Sequence, residues 1–274
     1  MKFNCGITGH TGVLGSEIIK NNFGVKFIKF KGDLTVKKDI KRWLEQNKLD
    51  FILHLAAIVP TRIVVNNFKY AKKVNYLGTK NLIDELIKKE EKIKWFFFSS
   101  TSHVYSFSKK KISERVKTKP SSKYGLTKLK AENYLLNKLK KNHIPFCIGR
   151  IFSFTNKKQT KSFVIPSIIN KAKNAKKKIK FDNVNNFRDF LCVYDICMAI
   201  KILMEKKSTG IFNIGSGKPI LISNIIKLVF NKYKKSYHIN NKTIGNSLIA
   251  NNNKIKKLNW KPSKNIKSII EELF

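Results

Sequence analysis

Tyr124 and Lys128 stand four residues apart in Ser122–Lys140, a stretch that reads as a helix, so both side chains leave one face. That pairing suits proton transfer. A phenol with a pKa near ~10 is a poor base at neutral pH. An adjacent ammonium favours the phenolate and draws its pKa toward the working range. Thr101 follows the apolar segment Lys94–Ser100, which reads as a strand. At the carboxyl end of such a strand its hydroxyl can hydrogen-bond a carbonyl or alcohol oxygen, to which Tyr124 would give or from which it would take the proton. His103 lies two residues beyond Thr101, and its imidazole reads either as a proton shuttle or as a ring that fills space.

A second constellation lies near the start, in Thr8-Gly9-His10-Thr11-Gly12-Val13-Leu14-Gly15. Three glycines at three-residue spacing between a strand and a helix have separate uses. Gly9 permits the tight turn, Gly12 lets the backbone approach a pyrophosphate, and Gly15 lets the helix pack close to the strand. The free N–H groups at the start of the helix that follows then face the phosphates. His10 reads as a loop filler or a phosphate neighbour. None of the His or Cys residues falls at metal-ligand spacing, so no metal site is expected.

The elements that must position these residues alternate. Strands are expected at Lys2–Ile7, Val25–Phe30, Phe51–Ala57, Lys94–Ser100 and Pro145–Ile151. Helices are expected at Glu17–Asn22, Val36–Asn47, Tyr70–Lys88 and Ser122–Lys140. This order implies a parallel α/β sheet with helices on both faces. Further on, helices are expected at Phe163–Ala175, Tyr194–Met204, Ile222–Tyr233 and Asn265–Leu273, and short strands at Phe187–Leu191 and Ile211–Ile214.

With 274 residues and 42% hydrophobic composition, the chain can bury one large domain with a smaller lobe. No apolar run approaches membrane-spanning length. A cleaved leader is not expected, because cleavage would remove the glycine loop. Cys5, Cys147, Cys192 and Cys197 form no CxxC pair and suit buried thiols in a reducing cytoplasm. The net charge of +40 raises the question of nucleic acid. Yet 52 of the 57 basic residues are Lys and they run along the whole chain, whereas base readout favours Arg. Lys, Asn and Ile share A/T-rich codons, so the excess reads as a solvated lysine surface.

Further segments, in order along the chain, carry a family resemblance: Gly32-Asp33-Leu34, His54-Leu55-Ala56-Ala57, Val74-Asn75-Tyr76-Leu77-Gly78-Thr79, Phe98 to Tyr105, Tyr124 to Lys128, Arg188-Asp189-Phe190 with Asp195, Asn213 to Gly217, and Trp260-Lys261-Pro262. With the glycine loop they resemble the extended short-chain dehydrogenases/reductases, the NAD-dependent epimerase/dehydratase family. The compact length is like that of dTDP-4-dehydrorhamnose reductase-like members.

The resemblance implies a Rossmann-type doubly wound parallel sheet with a small C-terminal substrate lobe. The dinucleotide domain would be residues 1–152 with 181–219, and the lobe 153–180 with 220–274. It implies a Thr101–Tyr124–Lys128 catalytic set, with His103 beside it. NAD or NADP would lie on Gly9, Gly12, Val13, Leu14, Gly15, Asp33, Leu34, Leu55, Ala56, Ala57, Asn75, Tyr124, Lys128 and Phe152. A nucleotide-activated sugar would lie on Thr101, Tyr124, Ser153 and Arg188, the last either on its diphosphate or in an ion pair with Asp189 or Asp195. Lys29 and Lys31 flank the end of the second strand, where NAD-preferring members place an acid, which leans the cofactor toward NADP. The 4,6-dehydratases carry Asp-Glu after the catalytic Thr, and here Ser102-His103 argues against dehydration. The second diphosphate arginine is absent from Asn240–Asn253. The implied activity is therefore reduction, oxidation or epimerisation at a keto or hydroxyl carbon, in surface-polysaccharide synthesis in the cytoplasm, by a chain that is a possible homodimer. A non-sugar carbonyl reductase and a non-catalytic cofactor-binding protein stand as alternatives.

Overall fold

The structure is a computed structural model and describes residues 3–59, 61–240 and 245–274. Lys2, with which the first strand was expected to open, lies outside these residues. The strands are β1 (Asn4–Thr8), β2 (Lys26–Lys29), β3 (Phe51–His54), β4 (Trp95–Thr101), β5 (Phe146–Ile151), β6 (Ser153–Thr155), β7 (Ile179–Asp182), β8 (Phe187–Arg188), β9 (Phe190–Cys192), β10 (Gly210–Ile214), β11 (Ile220–Leu221), β12 (Tyr237–Asn240) and β13 (Ser247–Leu248). The helices are α1 (Val13–Lys20), α2 (Lys37–Glu45), α3 (Thr61–Asn66), α4 (Phe68–Lys72), α5 (Thr79–Ile87), α6 (Lys123–Lys141), α7 (Val164–Lys173), α8 (Val193–Glu205), α9 (Ile222–Lys232), α10 (Asn253–Lys256) and α11 (Ile266–Glu271).

Six strands form one parallel sheet in the order β10-β5-β4-β3-β1-β2. The order reverses between β1 and β3, which opens a crevice at their carboxyl ends, where ligands of such sheets lie. Alternate residues of β4 feed two cores. Trp95 and Phe97 pack with Ile18 of α1 and Ile196 and Ile200 of α8. Phe96 and Phe98 pack with Ile40 of α2, Leu82 of α5 and Leu135 of α6. A strand buried on both faces must be apolar throughout, which is why this segment shows no alternation.

A separate core cluster gathers Ile165, Ile225, Val229 and Phe230 of α7 and α9 and Ile270 of α11, in the part of the chain expected to form the lobe, with Phe181 of β7. The boundary expected between 180 and 181 falls inside β7, which pairs with β12. Ile255 and Trp260 pack in the core beside α8 rather than in the lobe.

Other boundaries moved for local reasons. The first helix starts at Val13, not Glu17, because the glycine loop runs straight into it. The strand expected through Ala57 ends at His54, so Leu55, Ala56 and Ala57 leave the sheet at its carboxyl edge. The helix expected over Tyr70–Lys88 is interrupted by a π-helical stretch, Lys73–Gly78. There a Cβ on Gly78 would lie 2.9 Å from Leu34, so the segment hugs the turn after β2. The strand expected over Phe187–Leu191 is two strands in different sheets. The chain changes sheet at Asp189, whose buried carboxylate accepts hydrogen bonds from Ser216 N, Ser216 Oγ, Gly217 N and Ala250 N at 2.6–3.1 Å.

Candidate active site

The glycine loop divides its labour as the spacing implies. Gly9 has φ +72°, and a Cβ there would lie 2.6 Å from Ala56 N. On Gly15 a Cβ would stand 2.2 Å from Gly9 O, so α1 could not seat against the loop. On Gly12 it would meet only Gly9 O, at 3.4 Å, and is otherwise open. The helix that follows begins without a side-chain cap and without an acidic residue in its first turn. Open space, bare helix N–H groups and no competing anion fit a dinucleotide pyrophosphate.

Behind the loop, Thr8 Oγ1 lies 2.7 Å from His54 Nδ1, and His54 Nε2 lies 2.8 Å from Thr79 Oγ1. Thr79 Oγ1 donates to Asn75 O, and Thr8 Oγ1 accepts from Ala56 N. That assigns the proton to Nε2. Burial pushes the His54 pKa down to about 3, and the Lys128 ammonium adds to the shift, so the ring stays neutral. Asn75 Oδ1 accepts from Ile58 N at 2.6 Å, while Nδ2 donates to Ile58 O and to Thr127 Oγ1. Its amide thus ties the loop after β3 to α6. Leu55, Ala56 and Ala57 line the crevice, partly exposed.

At the end of β2, Lys29 and Lys31 are exposed. The Asp33 carboxylate accepts from Thr35 N at 2.7 Å, whereas Leu34 is buried in the core. Phe152 is also core, packed with Tyr105, Ile112, Leu248 and Ala250.

Thr101 ends β4 and caps a short turn, Ser102–Val104, by accepting from His103 N at 3.2 Å. Ser122 caps α6, accepting from Gly125 N at 3.0 Å, and its Oγ lies 3.1 Å from His103 Nδ1. Gly125 decides how near the helix comes: a Cβ there would be 2.0 Å from His103 O. This close approach brings Tyr124 into hydrogen-bonding range of Thr101. Burial pushes the phenol up, and the bond to Thr101 opposes it only in part. The expected lowering by Lys128 is not seen. The ammonium instead lies 4.1 Å over the Phe98 ring, whose partner in stacking is His54. Lys128 makes no hydrogen bond or ion pair among the described residues, and burial draws its pKa down to about 7.

His103 stands 6.0 Å from the Tyr124 ring, centroid to centroid. Burial, with Arg188 adding to it, lowers its pKa to about 4. Arg188 has neither of the acidic partners weighed for it: Asp189 is satisfied as above, and Asp195 Oδ1 accepts from Ser263 N and Oγ. Its Nη1 donates to Phe187 O and Asn246 O, and its guanidinium lies 5.3 Å over Phe107. It is a cation without a carboxylate among the described residues, near His103. Ser153 lies on β6, partly exposed. The Asp195 and Trp260 motifs meet each other, Trp260 Nε1 donating to Asp195 O at 3.0 Å, and serve to close the fold. No group of His, Cys, Asp and Glu among the described residues is placed to hold a metal.

Sheet order, glycine loop and the Thr–Tyr–Lys edge together define a Rossmann-type chain of the extended short-chain dehydrogenase/reductase kind. The chain belongs to the family described as GDP-mannose 4,6-dehydratase, whose model matches residues 7–273. It is 28% identical over 77% of its length to the dTDP-D-glucose 4,6-dehydratase of Dictyostelium discoideum, of which it spans 52%, about half. It is 29% identical over 73% of its length to the GDP-6-deoxy-D-talose 4-dehydrogenase of Aggregatibacter actinomycetemcomitans, of which it spans 69%. Among solved structures it superposes on RMD from Pseudomonas aeruginosa complexed with NADPH, with TM-score 0.89 and 20% identity, covering 100% of this chain and 96% of that one.

Proposed function

We propose that the chain is an NAD(P)-dependent oxidoreductase or epimerase acting at a keto or hydroxyl carbon of a nucleotide-activated sugar. The observation that carries this reading is the meeting of Thr101, Tyr124 and Lys128 at the carboxyl edge of β4, joined through Phe98, His54 and Thr8 to the glycine loop. When bound, the nicotinamide supplies or accepts the hydride. Thr101 and Tyr124 converge on the substrate oxygen. The neutral phenol is the acid a carbonyl needs as it becomes an alcohol, and the same oxygen takes the proton back in the reverse direction. Lys128 presents an unpartnered ammonium to ribose hydroxyls. Arg188 offers its free edge to the diphosphate. His103 is neutral at physiological pH and engaged with Ser122, so it orients rather than donates a proton. Ser102 and His103 bring no acid to the place where water would be eliminated, which favours redox or epimerisation over dehydration in spite of the family's name.

Lys29 and Lys31, with no acid at the end of β2, favour a 2′-phosphate, hence NADP; among structures of like fold, RMD is complexed with NADPH and the Thermus thermophilus UDP-glucose 4-epimerase with NAD. Among the described residues no helix is long and apolar enough to cross a membrane, and we place the enzyme with its cofactor in the cytoplasm. Ile63, Val65, Tyr70, Leu77 and Leu126 are exposed on α3, α4, the π-helical stretch and α6, and a second copy of the chain would cover them. Incubation with a panel of nucleotide sugars and NAD(H) or NADP(H), read by mass spectrometry, tests the reading. A change of two hydrogens supports redox, and altered chromatography at constant mass supports epimerisation. Loss of water would overturn the argument from Ser102-His103.

A further inference from the structure

Beneath the site lies a buried ion pair that the reaction as proposed does not touch. Glu132, on α6 one turn beyond Lys128, has a side chain with 0% exposure, and Arg150 on β5 has 4%. Arg150 Nε donates to both carboxylate oxygens at 3.1 and 3.2 Å, and Nη2 donates to Oε2 at 2.7 Å. Ser100 Oγ adds a short hydrogen bond to Oε1. On the far side Arg150 Nη1 donates to Tyr105 Oη at 2.9 Å, and that hydroxyl donates to Asn213 Oδ1 at 2.8 Å. Apolar residues of the same volume stabilise a core as well as such a pair does, or better. What an apolar filling lacks is direction and charge. The elements joined here carry the site: Ser100 precedes Thr101, Glu132 shares α6 with Tyr124 and Lys128, and Tyr105 follows the His103 turn.

The groups around the Lys128 ammonium come from four elements. Tyr124 and Glu132 lie on its own helix, the Phe98 ring on β4, the neutral His54 on β3, and Arg150 on β5 behind Glu132. Glu132 is the anion among them. We propose that Glu132, clamped by Ser100 and Arg150, is a positioning residue for Thr101 and Lys128, fixing α6 against β4 and supplying the negative charge that keeps Lys128 an ammonium in a dry site. The inference rests on the proposed function in one respect, that this ammonium is what holds the cofactor ribose. Burial lowers the lysine's pKa, and Glu132 works against burial.

The test is NADPH affinity, followed by nucleotide fluorescence from pH 6 to 10, in variants shown by melting to be folded. Wild-type affinity should fall as pH rises and Lys128 loses its proton. Glu132→Gln removes the anion and leaves the guanidinium, so the fall should come at lower pH. A midpoint one unit lower means about tenfold weaker binding at a pH above both midpoints. Arg150→Met leaves the anion alone and should move the fall to higher pH. Glu132→Gln with Arg150→Met together restores local neutrality and should return the midpoint toward wild type. Glu132→Asp keeps the charge and loosens the clamp, so the midpoint should stay while turnover drops; it and the double variant carry the test if Arg150→Met does not fold. Unmoved midpoints, or shifts of both single variants in one direction, would overturn the inference and leave the function standing. A wild-type chain that binds neither NADH nor NADPH would overturn the function and this inference with it.

Discussion

Three side chains share the proposed chemistry, and each leaves a different mark when removed. Tyr124→Phe keeps the ring and its packing and deletes the oxygen bonded to Thr101. Turnover should fall ~10²–10⁴-fold, the contribution of a general acid–base group, with NADPH affinity unchanged in a binding titration. Thr101→Val should lower turnover and likewise spare affinity. Lys128→Ala should lower both. A near-normal Tyr124→Phe enzyme would reduce the spacing of Tyr124 and Lys128 to a helix face and put the binding-protein alternative ahead. Lys128 also predicts a stability effect. Its folded pKa, about 7, lies below the ordinary lysine value of 10.5. Between these values the unfolded chain binds the proton that the folded chain lacks, so stability should rise with pH across that window. Lys128→Met should flatten that rise and raise the melting temperature of the ligand-free protein at pH 6 more than at pH 9. A site residue would thereby be shown to cost stability for function.

At the scale of elements, the sequence carried the strands and the glycine loop because their signals are local: apolar runs, helical spacing and three glycines in order. What it hid depends on approach between distant segments. Gly125 stands between Tyr124 and Lys128 with no local signal of its task, yet a Cβ there would lie 2.0 Å from His103 O. The pairing of Glu132 with Arg150 crosses from helix to strand and leaves no local signal in the sequence. The π-helical stretch follows from Asn75 reaching Ile58 and Thr127, which periodicity within one segment does not encode. The legible and hidden glycines should separate by experiment. Gly12→Val has room in the free protein and should abolish NADPH binding while leaving the melting temperature near wild type. Gly125→Ala must push α6 off the Ser102–Val104 turn, so both turnover and melting temperature should fall. A Gly125→Ala enzyme with normal turnover would mean that the helix can shift without disturbing Tyr124. Acid should reveal the His54 link between β1, β3 and α5. Its folded pKa of about 3 is below the ordinary histidine value of 6.5, so stability present above pH 6.5 should be lost as pH falls toward 3. His54→Gln should weaken that dependence in urea titrations at pH 7 and pH 5.

For the molecule as a whole, charge is the property still to be placed. A net charge of +40 over 14502 Å² leaves roughly one uncompensated positive charge per 360 Å², a mean spacing of about 19 Å. With 17 acidic residues against 57 basic ones, most lysines have no carboxylate to pair with. The exposed ion pairs that do form, such as Lys41–Glu45, contribute little each. Self-repulsion therefore outweighs local attraction at the surface, and the spacing sets where salt acts. The screening length is ~30 Å at 0.01 M and ~10 Å at 0.1 M, so neighbouring charges interact at the first and are largely screened at the second. Raising salt from 0.01 to 0.15 M should raise the melting temperature, most of the gain coming before 0.1 M. Sulfate and chloride compared at equal ionic strength would separate screening from specific anion binding. The same spread of lysines should retain the protein on DNA at low salt without sequence preference and release it near physiological ionic strength. A melting temperature that fell with salt would mean that surface ion pairs dominate after all. Binding to DNA that was sequence-selective and persisted at 0.15 M would give the lysines a function that the arrangement described here does not assign them.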